Sequence, residues 1–115
     1  MEGFENGKMM RIFVDEHDRH GVEPLYTAVV EVLRKRGVAG ATVLRGIEGF
    51  GAHNQIHIAK PFSAAPNSPV LIEVVDEEDR LRALIPELET MIGEGLITLE
   101  NISFLRLQRP TTARA

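Results

Sequence analysis

The sequence predicts an α+β domain of ferredoxin-like βαββαβ order, a four-stranded antiparallel sheet with two helices on one face. Four segments rich in β-branched and other apolar residues predict the strands, and two segments with apolar residues at helical spacing predict the helices. The third observation is the length of 115 residues, which suits one domain and is too short for two. We therefore expect residues 1–115 to form a single domain.

The first half of the chain supplies the first strand, the first helix and the second strand. Met9 to Val14 is rich in strand-forming residues and predicts the first strand. Pro24 suits a first helical position and Gly37 a helix end, so a helix is expected between them. The β-branched segment Val38 to Ile47 predicts the second strand, which runs into Gly46, Gly49 and Gly51.

The second half repeats this order. Val70 to Val75 predicts the third strand, and Asp76 with Asp79 predicts a cap at the start of the second helix. Pro86 lies inside the helical pattern, so we expect a kink there or two shorter helices. Ile97 to Leu107 predicts the last strand.

Three segments lack a regular pattern. Segments 1–8 and 108–115 are expected to be frayed tails. Segment 52–68 contains prolines or turn-forming residues at Pro61, Pro66 and Asn67, and no sustained period. A structureless segment of this length in a small domain is usually functional or disordered, so 52–68 is predicted to be a long mobile loop.

Composition disfavours several classes of protein. The formal net charge is -4, from 13 Lys and Arg against 17 Asp and Glu, which argues against a nucleic-acid partner. The chain has no Cys, so disulfides, thiolate metal ligands and Cys nucleophiles are absent. No apolar run approaches the ~20 residues of a membrane span, and the polar start does not resemble a signal peptide. A cytoplasmic protein that does not itself span a membrane is expected.

The residues indicate no reaction. No serine lies in a nucleophile motif, and the acidic run Asp76 to Asp79 suits a helix N-terminus. The spacing GxxGxG from Gly46 to Gly51 differs from the dinucleotide fingerprint, although such glycines allow backbone amides to approach an anion. His53 and His57 have the HxxxH spacing of metal ligands, but solvated loop histidines are the preferred interpretation. We therefore expect no catalytic site.

Apolar residues of both parities in the strands predict an oligomer. Two helices cover one face of the sheet, whereas Phe13, Leu71 and Val75 would lie on the other face. No segment of the chain is left to cover them. A homo-oligomer whose sheets face one another follows.

Arginines at strand ends suggest an anion site. Arg45 ends the second strand, Arg106 and Arg109 follow the last, and no acid occurs from Asn101 to Ala115. If the last strand pairs beside the second, these arginines converge on one anion. Ordinary solvated strand ends are the alternative.

Several segments together resemble the PII-like proteins, and more specifically the family known as domain of unknown function 190. They cover nearly the whole chain: Leu25-Tyr26, Gly40 to Gly51, Pro69 to Asp76 and Gly95 to Ile102. The resemblance implies a homotrimer with inward-facing sheets and an adenine nucleotide bound between subunits at the base of the long loop. The nucleotide would be an effector, with no cofactor required, and the loop 52–68 would signal to a partner, often a membrane transporter.

The resemblance also assigns residues. Thr42 matches a hydroxyl near the base, and Arg106 matches the basic residue that leaves the last strand. The loop root is matched by Gly49, Phe50 and Gly51. The glycine turn before the last strand is matched by Gly93 and Gly95. The pattern departs from PII at Ala52-His53 and at Leu96, where PII has Arg-Gln and lysine. A less charged ligand such as a mononucleotide is therefore expected no less than a triphosphate.

The predicted function is therefore that of a PII-like signalling protein in which nucleotide binding orders the loop and changes the surface shown to a partner. Together with Arg45, the matched residues form the predicted nucleotide site. The main alternative is a CutA-like metal-binding trimer that uses His53 and His57.

Overall fold

A computed structural model describes residues 3–50, 57–58 and 68–108, with the backbone alone at 57–58. Within this part of the chain, four strands form one sheet: β1 (Glu5–Asp15), β2 (Gly40–Arg45), β3 (Pro69–Asp76) and β4 (Leu96–Phe104). The helices are α1 (Leu25–Lys35) and α2 (Glu78–Met91). The strand order is β2-β3-β1-β4 with every neighbour antiparallel, which confirms the predicted ferredoxin-like fold.

Two pairings of two-residue strands accompany the main sheet. Arg19–His20 pairs with Glu23–Pro24 between β1 and α1. Glu48–Gly49 pairs with His57–Ile58 after β2. The second pairing places regular backbone inside the segment 52–68, where a loop without regular structure was expected. The other residues of 52–67 lie outside the described part of the chain.

The bounds of the strands differ from prediction mainly at their outer ends. The segment Glu5 to Lys8, expected to be frayed, belongs to β1 and pairs with Asn101 to Phe104 of β4. The expectation of a frayed tail is therefore wrong for these four residues, because a neighbouring strand satisfies their backbone groups. β4 ends three residues before the predicted Leu107. Of the two predicted tails, 1–2 and 109–115 lie outside the described residues.

The core lies between the helices and one face of the sheet. Alternate residues of β1 and β3 point into it, as the period of two in a strand requires. The helices contribute leucines and valines to the same layer. Its fully or almost fully buried members include Met10, Ile12, Val70, Ile72, Val74, Val29, Leu33, Leu81 and Leu88.

α1 ends where the glycine predicted it. Gly37 has φ 73°, a conformation that costs residues with a side chain energy. Its amide donates to the Arg34 carbonyl at 3.1 Å, and the Val38 amide donates to the Leu33 carbonyl at 3.4 Å. These two bonds form a Schellman motif, which satisfies carbonyls that the helix leaves free. At the other end, Pro24 is the N-cap and not the first helical residue.

α2 differs from prediction at both points raised by its sequence. It runs unbroken through Pro86, so the predicted division into two helices is wrong, whereas the predicted kink stays a prediction. Pro86 is exposed, as is Arg82, so the Arg82 carbonyl that loses its amide partner can bond to water. The cap predicted from Asp76 and Asp79 is also wrong, because Glu77 is the N-cap and makes no side-chain capping bond.

The sheet face opposite the helices is not covered by any other described element. Cross-strand register arranges its side chains in rows. The apolar row comprises Leu44, Leu71, Phe13 and Leu96, and the polar row beside it comprises Thr42, Glu73, Arg11 and Thr98. Phe13 is 38% exposed and Leu96 60% exposed. The predicted apolar second face is therefore present, with one charged row across it.

Arg11 organises the polar row. Its Nε lies 2.9 Å from Glu73 Oε2, and its guanidinium also pairs with Glu100 on β4. One arginine thus links three strands of the sheet through two carboxylates. Both carboxylates lie on strands adjacent to β1, so the charge of Arg11 is paired within one chain.

Replacing Gly37 by alanine is expected to destabilise the protein by about 1–2 kcal/mol, the usual cost of a left-handed conformation for a residue with Cβ. Thermal unfolding at one fixed protein concentration measures the change. Gly40→Ala is the matched control, because Gly40 lacks a positive φ and a Cβ there meets no atom within 4 Å. Equal effects of the two substitutions would contradict this account of the helix end.

Candidate functional site

The loop root lies where β2 ends beside the start of β3. The Gly46 amide donates to the Pro69 carbonyl at 2.7 Å, which joins the two ends of the long segment between these strands. A Cβ on Gly46 would lie 2.7 Å from Pro69 Cγ, whereas one on Gly49 would lie 3.4 Å from the same atom. The close approach of the chain to the proline ring therefore requires glycine at position 46, whereas position 49 has room for a Cβ at ordinary contact distance.

Three residues at the ends of three strands lie at this root, and we call them the root clamp: Glu16 after β1, Arg45 at the end of β2 and Ser68 before β3. The β1–β3 ladder continues past Asp15 and Pro69 through a bond from the Glu16 amide to the Ser68 carbonyl, 3.0 Å long. Residues 16 and 68 therefore face each other on the helix side of the sheet. Arg45, on the edge strand, forms an ion pair with the Glu16 carboxylate.

The root clamp is unusual in its burial. The Glu16 side chain is only 9% exposed, whereas its partner Arg45 is 58% exposed. Ser68 is fully buried. Glu16 Oε2 and Ser68 Oγ are both buried without a hydrogen-bond partner, a condition that is rare in native proteins and costs stability. Ser68, the last residue of the predicted mobile loop, is thus buried and bonded through its carbonyl, and the mobility of the loop stays a prediction.

The predicted loop-root residues are only partly described. Gly49 pairs with His57 through the backbone, and the Phe50 side chain is 68% exposed. Gly51 and His53 lie outside the described residues, and of His57 only the backbone is described. The metal site proposed for the two histidines is therefore untested.

The glycine turn lies at the same end of the sheet but at its other edge. A Cβ on Gly95 would come within 2.8 Å of the Phe13 carbonyl, so this residue packs against the end of β1. Gly93 has open space around it. A cavity of about 290 Å³ lies beside Gly93, with the lining Asp18, Arg19, Leu25, Met91, Gly93 and Glu94.

Arg106 lies at the opposite end of the sheet. Its Nη2 is 3.5 Å from Asp76 Oδ1 and its Nε is 3.9 Å from Glu5 Oε2. Its Cζ lies 5.7 Å from the centre of the Phe104 ring, a cation–π distance. Arg106 lines a groove of about 350 Å³ together with Ala39, Gly40, Val75, Phe104, Leu105, Leu107 and Gln108.

Asp76 organises this second end. Its carboxylate is fully buried and accepts bonds from the Ala39 amide at 3.0 Å and the Glu77 amide at 2.7 Å. It therefore joins the start of β2 to the start of α2 while pairing with Arg106. Two backbone amides and a guanidinium stabilise the charge of a carboxylate that has lost its water.

The expected convergence of the arginines within one chain is wrong. β4 pairs with β1, so it forms the edge opposite β2 and does not lie beside it. Because β2 and β4 also run in opposite directions, Arg45 and Arg106 follow opposite ends of the sheet. Arg109, the third member, lies outside the described residues.

Sequence reasoning missed two acids that shape these ends. Glu16 was not singled out, and Asp76 was assigned to a helix cap. A signal for Asp76 was present, because it continues the period-two series of buried positions Val70, Ile72 and Val74. Nothing comparable marked Glu16, whose burial depends on the pairing of β1 with β3.

The described residues show no constellation for chemistry on a metal. Among them, no three His, Asp or Glu side chains are grouped closely enough to hold a metal ion. Neither described helix has the length and apolarity needed to cross a bilayer.

Comparison with known families assigns the chain. Residues 7–104 match the family domain of unknown function 190, described as "Uncharacterized ACR". The chain belongs to this family. A UPF0166 protein of Aquifex aeolicus is 35% identical over 100 residues, which cover 87% of this chain and 94% of that protein. A UPF0166 protein of Methanocaldococcus jannaschii is 33% identical over 93 residues, covering 80% of this chain and 85% of that protein.

Solved structures place this member of the family in the PII-like fold. CPII of Thiomonas intermedia, a nitrogen regulatory PII-like protein bound to ADP, AMP and bicarbonate, superimposes with a TM-score of 0.68 at 16% identity. The match covers 90% of this chain and 92% of CPII. A PII-like protein of Thermus thermophilus gives a TM-score of 0.62 at 18% identity, covering 89% of this chain and 92% of that protein. The resemblance found in the sequence is confirmed in both family and fold.

Gly46→Ala is expected to destabilise the protein by roughly 1–3 kcal/mol, because the added Cβ overlaps the Pro69 ring. Gly49→Ala is the control and should change stability much less, since its Cβ lies at ordinary contact distance. Removing the ring in Gly46→Ala/Pro69→Ala should recover part of the loss. Urea unfolding of the four proteins tests the contact, and an unrecovered double variant would argue against it.

Proposed function

We propose that this protein is a cytoplasmic PII-like regulator, without enzymatic activity, that binds an adenine nucleotide between neighbouring copies of a homotrimer. The observation that carries the proposal is the placement of the candidate residues. They lie at both edges of a sheet whose second face is covered by none of the described elements. One copy alone therefore cannot enclose a ligand with all of them.

A second copy supplies what is missing. The apolar row exposes Phe13, Leu44 and Leu96 to solvent, and burial of such side chains favours association. Packing of sheets around an axis brings the β4 edge of one copy toward the β2 edge of the next. In that arrangement Arg106 and the glycine turn of one copy can lie near Thr42 or the loop root of another.

The candidate residues have the chemistry that a nucleotide requires. Arg106 offers a planar fork of donors that matches a phosphate. Thr42, in the polar row, presents a hydroxyl that can donate or accept toward a base. The lack of a side chain at Gly49 lets an anion come close to the backbone at the loop root. That the PII-like neighbour CPII is bound to ADP and AMP supports an adenine nucleotide as the effector.

Regulation then depends on the long segment between β2 and β3. Both ends of this segment are fixed, at Gly46 and at Ser68, on either side of the loop root. A nucleotide bound at the root would therefore fix the conformation of the segment and change the surface it offers to a partner. A membrane transporter or another protein is the expected partner.

Isothermal titration calorimetry with AMP, ADP, ATP and cyclic AMP tests nucleotide binding. We expect binding of at least one of them, weakened about tenfold or more by Arg106→Ala or Arg45→Ala, because a hydrogen bond to a charged group contributes roughly 1.5–3 kcal/mol. Arg80→Ala is the control, since Arg80 is a comparably exposed, ion-paired arginine that lies on α2 and not at a strand end. No heat with any nucleotide would overturn the proposal.

Multi-angle light scattering tests the assembly. The native chain should have the mass of three copies, and Phe13→Asp should release monomers, because it puts an unpaired carboxylate into the apolar row. Val22→Asp is the matched control, because Val22 is almost fully exposed at the tip of the Arg19–Pro24 turn. A monomeric native protein at micromolar concentration would contradict the trimer.

A further inference from the structure

The ion pair at the root clamp occupies an arginine that the proposed site needs. Arg45 follows β2 at the loop root and is already paired with Glu16. Its partner is not a freely solvated carboxylate, because the Glu16 side chain is more than nine-tenths buried. A buried charge is screened less by water than a surface charge, so Glu16 offsets most of the attraction that Arg45 can offer a second anion.

Carboxylates also offset the positive charge of the other candidate arginine. Arg106 lies within 4 Å of two carboxylates, those of Asp76 and Glu5. Glu48, at the loop root, adds another negative charge. In the described part of the chain, the two arginines of the proposed site therefore face at least as many acids as they can neutralise.

The unpartnered oxygen of Glu16 also disfavours a highly charged ligand. Glu16 Oε2 is a buried acceptor without a donor, and the facing Ser68 Oγ is also unpartnered. Because this oxygen is buried, a ligand does not bond to it directly. Its negative charge nevertheless repels an anionic oxygen placed at Arg45, since like charges repel at short range.

We propose that Glu16 is a specificity-determining residue that, by holding Arg45, makes the site select a nucleotide with one phosphate over a nucleoside triphosphate. This inference rests on the nucleotide site proposed above. A phosphate monoester carries about two negative charges at neutral pH, and a triphosphate carries about twice as many. The repulsion from Glu16, which offsets most of the attraction of Arg45, therefore grows with every phosphate added.

Glu16→Gln tests the role directly, because it keeps the shape of the side chain and removes its charge. The affinities of the full-length protein for AMP and ATP are measured by calorimetry without divalent cations at fixed ionic strength. The native protein should bind AMP at least as tightly as ATP. The variant should change the ATP-to-AMP affinity ratio about tenfold in favour of ATP. This is the effect expected in water when a negative charge that lies about 7 Å from the two additional charges of the triphosphate is removed.

Arg45→Gln makes the opposite change. It leaves Glu16 without its partner, so the ATP-to-AMP ratio should fall below the native ratio by a similar factor. The double variant Glu16→Gln/Arg45→Gln removes both charges and should restore a near-native ratio. Because Arg45 is mostly exposed, its variant keeps the test available even if Glu16→Gln fails to fold, which thermal unfolding of each protein reveals.

Glu48→Gln is the matched control for bulk charge. It removes the same formal charge from the loop root but leaves the Glu16–Arg45 pair intact, so the ratio should change by much less than tenfold. An equal effect of Glu48→Gln and Glu16→Gln would overturn the proposal, as would native preference for ATP. Nucleotide binding with an unchanged ratio in all variants refutes the role of Glu16 alone, whereas no binding of AMP or ATP by any protein refutes the nucleotide site as well.

Discussion

Two helices can cover only one face of a four-stranded sheet, and the rest of this structure depends on that limit. Alternate residues of β1 and β3 fill the layer beneath α1 and α2, where burial of aliphatic side chains stabilises the chain. The intervening residues remain apolar in part, with Phe13 and Leu71 adjacent in one row. A sheet that is hydrophobic on both faces requires a second layer to cover it, so we expect the association of copies to contribute to the stability of this fold.

The limit also explains why the candidate residues are scattered. In the order β2-β3-β1-β4, one edge strand contains Thr42 and Arg45, and the other is preceded by Gly95 and followed by Arg106. These residues are about one sheet width apart in a single copy. Residues at sheet edges meet when copies pack side by side, so the site and the assembly are proposed together and depend on the same surface.

The sequence predicted the elements better than it predicted their neighbours. Periods of two and of 3.6 residues are local, so the strands around Ile12 and Ile72 and the helix ending at Gly37 could be located. The position of β4 depends on pairing between distant segments, and misplacing it beside β2 produced the false convergence of Arg45 and Arg106. The predicted division of the helix at Pro86 failed for a local reason. The free-energy cost of a proline inside a helix depends on whether the carbonyl that loses its partner faces solvent.

The polar row gives the open face a property that an apolar face alone lacks. Purely apolar rows could slide past one another by a row with little loss, because hydrophobic contact has no direction. The Arg11 guanidinium, held by Glu73 and Glu100, must keep its partners wherever water is removed from it. Because these pairs lie within one chain, a neighbouring copy can cover the face without breaking them, but a register that places apolar side chains over the charged row removes water from these charges without any gain. The polar row therefore restricts the registers in which two copies can pack.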